Sequence, residues 1–262
     1  MIDILRPLRR QTPTGPPRPR IDLGTFEGVL YAIGDIHGCF DEFRRLEELI
    51  LADGRRYDGR KIVILLGDYI DRGPRSAEVI AHLLQPLDGD FDRLCLCGNH
   101  EEMMLNYLDD PAEHSHWPDV GGRATLVSYG IDLDHMHRLA RRDRNALRRH
   151  LAESIPEEHQ HFLRSLPALV HSGTTVFVHA GLRPSVPLEA QTDRDLLWIR
   201  EPFLSRGPQL PLNVVHGHSP TDAVILQHGR IGIDTGVFIT GRLTALRLAG
   251  GAFSFLTSRG RD

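Results

Sequence analysis

At 262 residues, with a formal net charge of −4 and a pI near 6.4, the chain is long enough to bury a full core and lacks the overall basic footprint of a nucleic-acid-binding protein. Three cysteines make no disulfide framework, which points to a reducing, cytoplasmic setting, and no stretch approaches the ~20 apolar residues of a membrane span. One sizeable domain is expected, with neither nucleic acid nor membrane as a partner.

In chain order, residues 1–20 (MIDILRPLRRQTPTGPPRPR) are rich in Arg and Pro and lack the apolar segment of a secretory signal. They read as a flexible basic tail before a single domain over 21–258. The apolar run Val29 to Ile33 predicts a buried strand that ends in the acidic turn Gly34-Asp35-Ile36-His37-Gly38. Phe40 to Leu51 follows with helical spacing of Phe43, Leu46, Leu49 and Ile50, and with Asp41 and Glu42 in its first turn. The device repeats: a strand over Ile62 to Leu66, the turn Gly67-Asp68-Tyr69-Ile70-Asp71-Arg72-Gly73, and a helix over Ser76 to Leu84. A third strand, Leu94 to Cys97, leads into Gly98-Asn99-His100-Glu101. The three turns begin 33 and then 31 residues apart, about one βαβ unit each.

From 101 to 166 the pattern becomes mainly helical and more charged, which reads as an insertion over the strand ends. Strand signals return at 175–178, 213–215, 224–227, 230–233 and 243–248. The last four leave little room for helices between them, so this third of the chain predicts a second, partly antiparallel sheet packed on the first. Two of these strands also end in histidine: Val178 leads into His179-Ala180-Gly181, and Val215 into His216-Gly217-His218-Ser219-Pro220.

Parallel strands at βαβ spacing bring their carboxyl ends side by side, where an open α/β sheet binds its ligands. Asp35, His37, Asp68, Asn99 and His100 are therefore expected to meet in one crevice, joined by the later strand-end histidines. Carboxylate, amide and imidazole donors together suit hard or borderline divalent cations.

GDIHG, GDYIDRG, GNHE, HAG and GH followed by Ser-Pro, in this order, resemble the metallophosphoesterase superfamily and within it the phosphoprotein phosphatase branch. Leu196-Leu197-Trp198-Ile199-Arg200 and Ile233-Asp234-Thr235-Gly236 add a likeness to bacterial and bacteriophage-type serine/threonine phosphatases. The resemblance implies a sandwich of two mixed β-sheets flanked by helices. It implies two divalent ions, manganese first with iron or zinc as alternatives. Asp35 and His37 would hold one ion, Asp68 would bridge both, and Asn99, His179 and His218 would complete the second. A water shared by the ions would be activated as hydroxide to attack phosphorus. His100 matches the family's proton donor, Asp71 the carboxylate that orients it, and Arg72 and Arg200 the phosphate clamps. The ligand position directly after Gly selects His218, leaving His216 as a lining residue. Pro220 stands where phosphodiesterase-type members carry a further histidine, which favours a monoesterase-like site. The implied activity is hydrolysis of phosphoserine and phosphothreonine in proteins. The alternatives are symmetrical hydrolysis of dinucleoside polyphosphates and a catalytically silent binding module, the last disfavoured by the complete ligand set.

The remaining polar residues read as structural. Cys95 and Cys97 are expected to be small buried hydrophobes, and Cys39 to pack beside the first turn. The alternating pairs His114/His116 and His135/His137 read as solvated positions. The arginine-rich run Arg138 to His150 reads as a solvated helix face, with steering of anionic substrates as the alternative.

Overall fold

The computed structural model describes residues 16–258. Its strands are β1 (Arg20–Asp22), β2 (Val29–Ile33), β3 (Lys61–Leu65), β4 (Phe91–Cys95), β5 (Leu169–Ser172), β6 (Thr175–Val178), β7 (Asn213–His216), β8 (Ile225–Gln227), β9 (Arg230–Gly232), β10 (Thr244–Ala249) and β11 (Ala252–Thr257). The helices are α1 (Phe40–Gly54), α2 (Ser76–Leu83), α3 (Asn99–Asp109), α4 (Gly122–Ser128), α5 (Leu133–Arg142), α6 (Arg144–Ser154), α7 (Glu157–Ser165), α8 (Asp193–Trp198), α9 (Phe203–Arg206) and α10 (Val237–Thr240).

Two mixed sheets stack face to face, one in the order β11-β10-β2-β3-β4 and the other β1-β5-β6-β7-β9-β8. Every residue of β2 and β3 is buried, which is why these strands read as continuous apolar runs. Their side chains alternate between two cores. Leu30, Ala32, Ile62 and Ile64 meet Val170, Phe177 and Val215 of the facing sheet. Val29, Tyr31, Ile33, Val63 and Leu65 pack beneath helices through Phe43, Leu46, Ile50, Val79 and Ile80. Each such fully buried Val, Leu, Ile or Phe contributes roughly 1.5–3 kcal/mol relative to exposure, so the double core fixes the strand ends rigidly.

β2, β3 and β4 run parallel in one sheet, and β6 and β7 run parallel in the other. The turns after all five strands carry the predicted site residues, so both sheets present their carboxyl ends to one crevice. The helical segment between β4 and β5 follows directly from the third turn.

The structure departs from the sequence reading in three places. The strand at 243–248 belongs to the first sheet: β10 runs antiparallel beside β2, with Leu246 opposite Ala32, and the hairpin partner β11 forms that sheet's edge. β1 and β5 pair in parallel at the far side of the second sheet. Both are only three or four residues long, too short for a periodicity to announce them. The segment expected as tail is held by the domain at its carboxyl end, where the Arg18 N–H donates to Asp193 Oδ2 at 2.7 Å and its guanidinium to the Leu166 carbonyl at 3.0 Å. Residues 1–15 of that tail lie outside the described residues. Among the described residues no helix is long and apolar enough to cross a membrane.

Cys97 is buried and Cys95 half-buried; burial pushes the Cys95 thiol up to about 12 and that of Cys97 up as well, so both stay neutral. The Cys39 thiol is buried and donates to the His37 carbonyl at 3.4 Å. In the insertion, His135 stacks edge-to-face on His150 at 5.2 Å between ring centres, a pairing across two helices that sequence spacing does not show. Arg138, Arg141, Arg148 and Arg149 are exposed, as a solvated helix face requires.

Candidate metal centre

The crevice gathers its donors around Asp68. Its carboxylate lies 3.6 Å from His37 Nε2 on one side and 3.4 Å from His179 Nε2 on the other, each measured to a different oxygen. His37, Asp68 and His100 bring ligand atoms within 4.8 Å of one another, and so do Asp68, His179 and His218. The two groups share Asp68, and every member is buried. Asp35 stands beside the first group, its Oδ2 4.0 Å from His37 Nε2, and its oxygens accept the His218 N–H at 3.0 and 3.2 Å. Asn99 stands inside the second, with Oδ1 2.9 Å from His179 Nε2 and 2.7 Å from His218 Nδ1.

Hydrogen bonding fixes which ring nitrogen is available. His37 Nδ1 donates to the Ile70 carbonyl at 2.9 Å, and His179 Nδ1 donates to the Leu66 carbonyl at 2.9 Å. Carbonyls accept only, so in the neutral rings Nε2 carries the lone pair and faces the crevice. Burial keeps these rings neutral, drawing His37 down to about 3 and lowering His179. Burial also draws His218 down to about 2, helped by the neighbouring His179 and Arg200. His179 Nε2, Asn99 Oδ1 and Asp68 Oδ1 are then three acceptors facing one another with no proton between them. A cation satisfies such a set, so the residues fit a divalent metal.

The electrostatics say the same. Burial opposes ionisation of Asp68, yet the imidazole cluster around it, in which the pKa of His100 is raised, holds its carboxyl well below the ordinary range. Burial and the carboxylates of Asp234 and Asp68 push Asp35 well above it. Asp234, itself buried, is pushed up to about 6. Three buried carboxylates this close need positive charge between them. The Arg72 guanidinium supplies some, donating to His37 Nε2 at 2.7 Å and lying 3.1 Å from His100 Nε2 and 4.6 Å over the Phe238 ring.

Turn geometry aims these groups. His37, Asp68, Asp71, Arg72 and His218 all have positive φ, between 46° and 72°. Each costs on the order of 1–3 kcal/mol for a non-glycine residue and must be held by its surroundings. Glu101 does much of the holding, a role that sequence reasoning assigns to no residue. Its carboxylate accepts the N–H groups of Asp68, Tyr69 and Gly98 at 2.8, 2.8 and 2.9 Å. Burial and the Asp68 charge push it up to about 7. The available sequence signal was a glutamate three residues past the Gly98 helix cap. Two glycines are obligatory by contact: a Cβ at Gly98 would collide with the Asp68 carboxylate, and one at Gly217 with that of Asp35.

The other predicted residues fall as follows. His100 Nδ1 meets Asp71 Oδ2 at 2.6 Å, and the charges of Asp68 and Asp71 raise its pKa against the opposing effect of burial. Arg200, exposed at the rim, reaches the His218 carbonyl at 3.4 Å. His216 belongs to neither ligand group. It is buried against Phe203, its Nδ1 donates to the Gly217 carbonyl, and its Nε2 accepts from Arg230 at 3.2 Å. Burial draws it down to about 4. His218→Ala is therefore expected to lower metal content to about one ion per chain, whereas His216→Ala leaves metal content intact and costs stability by roughly 1–3 kcal/mol through the Arg230 N–H left without its acceptor. Metal analysis beside thermal unfolding reads both; the reverse pattern would move the ligand role to His216.

The fold and the two donor groups about a shared carboxylate define a phosphoric ester hydrolase built around divalent metal. The chain belongs to the calcineurin-like phosphoesterase family, matched over residues 29–237. It is 28% identical to the asymmetrical bis(5'-nucleosyl)-tetraphosphatase of Halalkalibacterium halodurans over 87% of this chain and 93% of that protein. With the symmetrical bis(5'-nucleosyl)-tetraphosphatase of Nitrosospira multiformis it shares 30% over 62% of this chain and 46% of that protein. Among solved structures, a provisionally assigned diadenosine tetraphosphatase superposes with a TM-score of 0.62 at 22% identity, covering 92% of this chain and 98% of the other. A cold-active protein-tyrosine phosphatase from a Shewanella species superposes at 0.55 with 15% identity, covering 93% and 83%. Both superpositions speak for the fold alone.

Proposed function

We propose that the chain hydrolyses dinucleoside polyphosphates, with diadenosine tetraphosphate as the representative substrate. The observation that carries this reading is the near-full-length similarity to proteins named as dinucleoside tetraphosphatases. It reverses the order that sequence alone gives, in which phosphoserine and phosphothreonine of proteins come first. The complete and convergent ligand set speaks against a silent binding module.

In this reading Asp35, His37 and Asp68 hold one divalent cation, and Asp68, Asn99, His179 and His218 hold a second, manganese being the first choice. When bound, the pair supplies an activated water and neutralises phosphoryl charge. The remaining chemistry belongs to the side chains. Arg72 and Arg200 grip non-bridging phosphate oxygens, since a guanidinium fork matches two oxygens at once. Asp71 keeps the His100 ring turned so that Nε2 faces the crevice, and a proton held there passes to the departing oxygen. With a phosphoanhydride that oxygen leaves on a phosphate whose second pKa is about 6, so little proton transfer is required of His100.

The test is a steady-state comparison of metal-loaded protein on diadenosine tetraphosphate, a phosphoserine peptide and a bis-aryl phosphodiester. The expected result is a kcat/KM for the tetraphosphate at least about tenfold above the peptide, a difference of about 1.4 kcal/mol in transition-state binding, with little turnover of the diester. The nucleotide products, two ADP or AMP with ATP, report which anhydride breaks. A preference for the phosphopeptide would restore the protein-phosphatase reading.

A further inference from the structure

We propose that Trp117 and Thr125, both in the helical insertion, are positioning residues that lock the Asp71 carboxylate and through it the His100 ring. The proposal rests on the reading of His100 as proton donor.

Asp71 is completely buried, and each of its oxygens is taken. Oδ2 accepts from His100 Nδ1 at 2.6 Å and from the Trp117 indole N–H at 2.8 Å. Oδ1 accepts from the Thr125 hydroxyl at 2.6 Å, and that same hydroxyl oxygen accepts the Asp71 N–H at 2.8 Å. A carboxylate bonded to one imidazole alone can rotate about its Cβ–Cγ bond. Donors on both oxygens, from two rigid elements, fix its plane and therefore the ring that it holds. Trp117 and Thr125 are themselves completely buried, and an indole N–H is a donor with no other use.

The backbone between the two residues acts on the same turn. Arg72 N donates to the Gly121 carbonyl at 3.2 Å, so the strained pair Asp71 and Arg72, at φ 72° and 69°, is tied to the insertion through main chain as well. A Cβ at Gly121 would press on Asp71 Cβ and Arg72 Cγ, each at 3.1 Å, which leaves glycine as the residue that lets the insertion approach. The segment 117–125 thus braces the donor pair from above, while α3 holds His100 from its own first turn.

Thr125→Val removes the hydroxyl at nearly constant volume, and Trp117→Phe removes the indole N–H. For each, kcat on phosphoserine is expected to fall about tenfold, part of the 10²–10⁴ that a positioned acid contributes, with KM and metal content unchanged. On 4-nitrophenyl phosphate, whose leaving group needs no proton, the fall should stay below about threefold. Thr125→Ser should retain the wild-type rate, and Thr125→Val added to His100→Asn should cost nothing more. Equal losses on both substrates, loss of metal, or a full further loss in the His100→Asn background would overturn the brace and leave the segment a packing element. Should Trp117→Phe fail to fold, the Thr125 pair alone decides. If His100→Asn shows a leaving-group dependence and Thr125→Val does not, the brace alone fails. If His100→Asn shows none, the proton-donor reading fails first.

Discussion

Asp68→Asn is expected to fold normally, lose both metal ions and lower turnover more than about a thousandfold, the equivalent of about 4 kcal/mol of transition-state stabilisation. The substitution is nearly isosteric, and its amide oxygen can still accept the His100 N–H that Asp68 Oδ1 accepts at 3.1 Å. Position 68 has φ 51°, a conformation that asparagine tolerates as readily as aspartate. What changes is charge. Asp68 faces His37 with one oxygen and His179 with the other, and it is the one member common to both donor groups. A neutral amide there leaves each cation short of a carboxylate. Metal analysis of the purified variant reads the outcome; two retained ions per chain would remove Asp68 from the bridging role.

His100→Asn should separate substrates by their leaving groups. The His100 ring is held through Nδ1 by Asp71, and its Nε2 faces the crevice beside Asp68, 3.8 Å from Oδ2. Loss of a positioned acid costs typically 10²–10⁴-fold where an alkoxide must be expelled, so phosphoserine should suffer most. Aryl phosphates with acidic phenols and the tetraphosphate should suffer least, because their leaving oxygens depart without a proton. Rates across such a series, with metal content measured beside them, check the expectation. Uniform losses with metals retained would mean that His100 orders the nucleophile or binds phosphate instead.

These two residues were legible in sequence for a definite physical reason. β2 and β3 are buried on both faces, so their apolar runs are unmistakable, and a strand end in a parallel sheet points its following turn at the ligand edge. Position along the chain therefore maps onto position around the crevice for Asp35, His37, Asp68, Asn99 and His100. The same logic placed His179 and His218, whose strands β6 and β7 are also parallel. Side-chain partners across long separations were not legible. Trp117 and Thr125 meet Asp71 from 46 and 54 residues away, and nothing local marks either as a donor to it. Glu101 lay inside a quoted motif, but its three N–H partners belong to two different turns. Strand pairing was hidden likewise: nothing in the six residues of β10 names a neighbour, and only the completed sheet shows that it joins β2 rather than β9. The substrate lies further still from sequence motifs, since the residues proposed to hold metal and phosphate are indifferent to what the phosphate is attached to.

The most direct measurement of the central claim is an anomalous-difference map from crystals grown with manganese. Two peaks about 3.5–4 Å apart, the spacing of a two-metal clamp, are expected on either side of Asp68. One should touch Asp35 and His37, the other Asn99, His179 and His218. A single peak, or two peaks of which one does not touch Asp68, would contradict the shared-carboxylate centre from which the proposed chemistry follows.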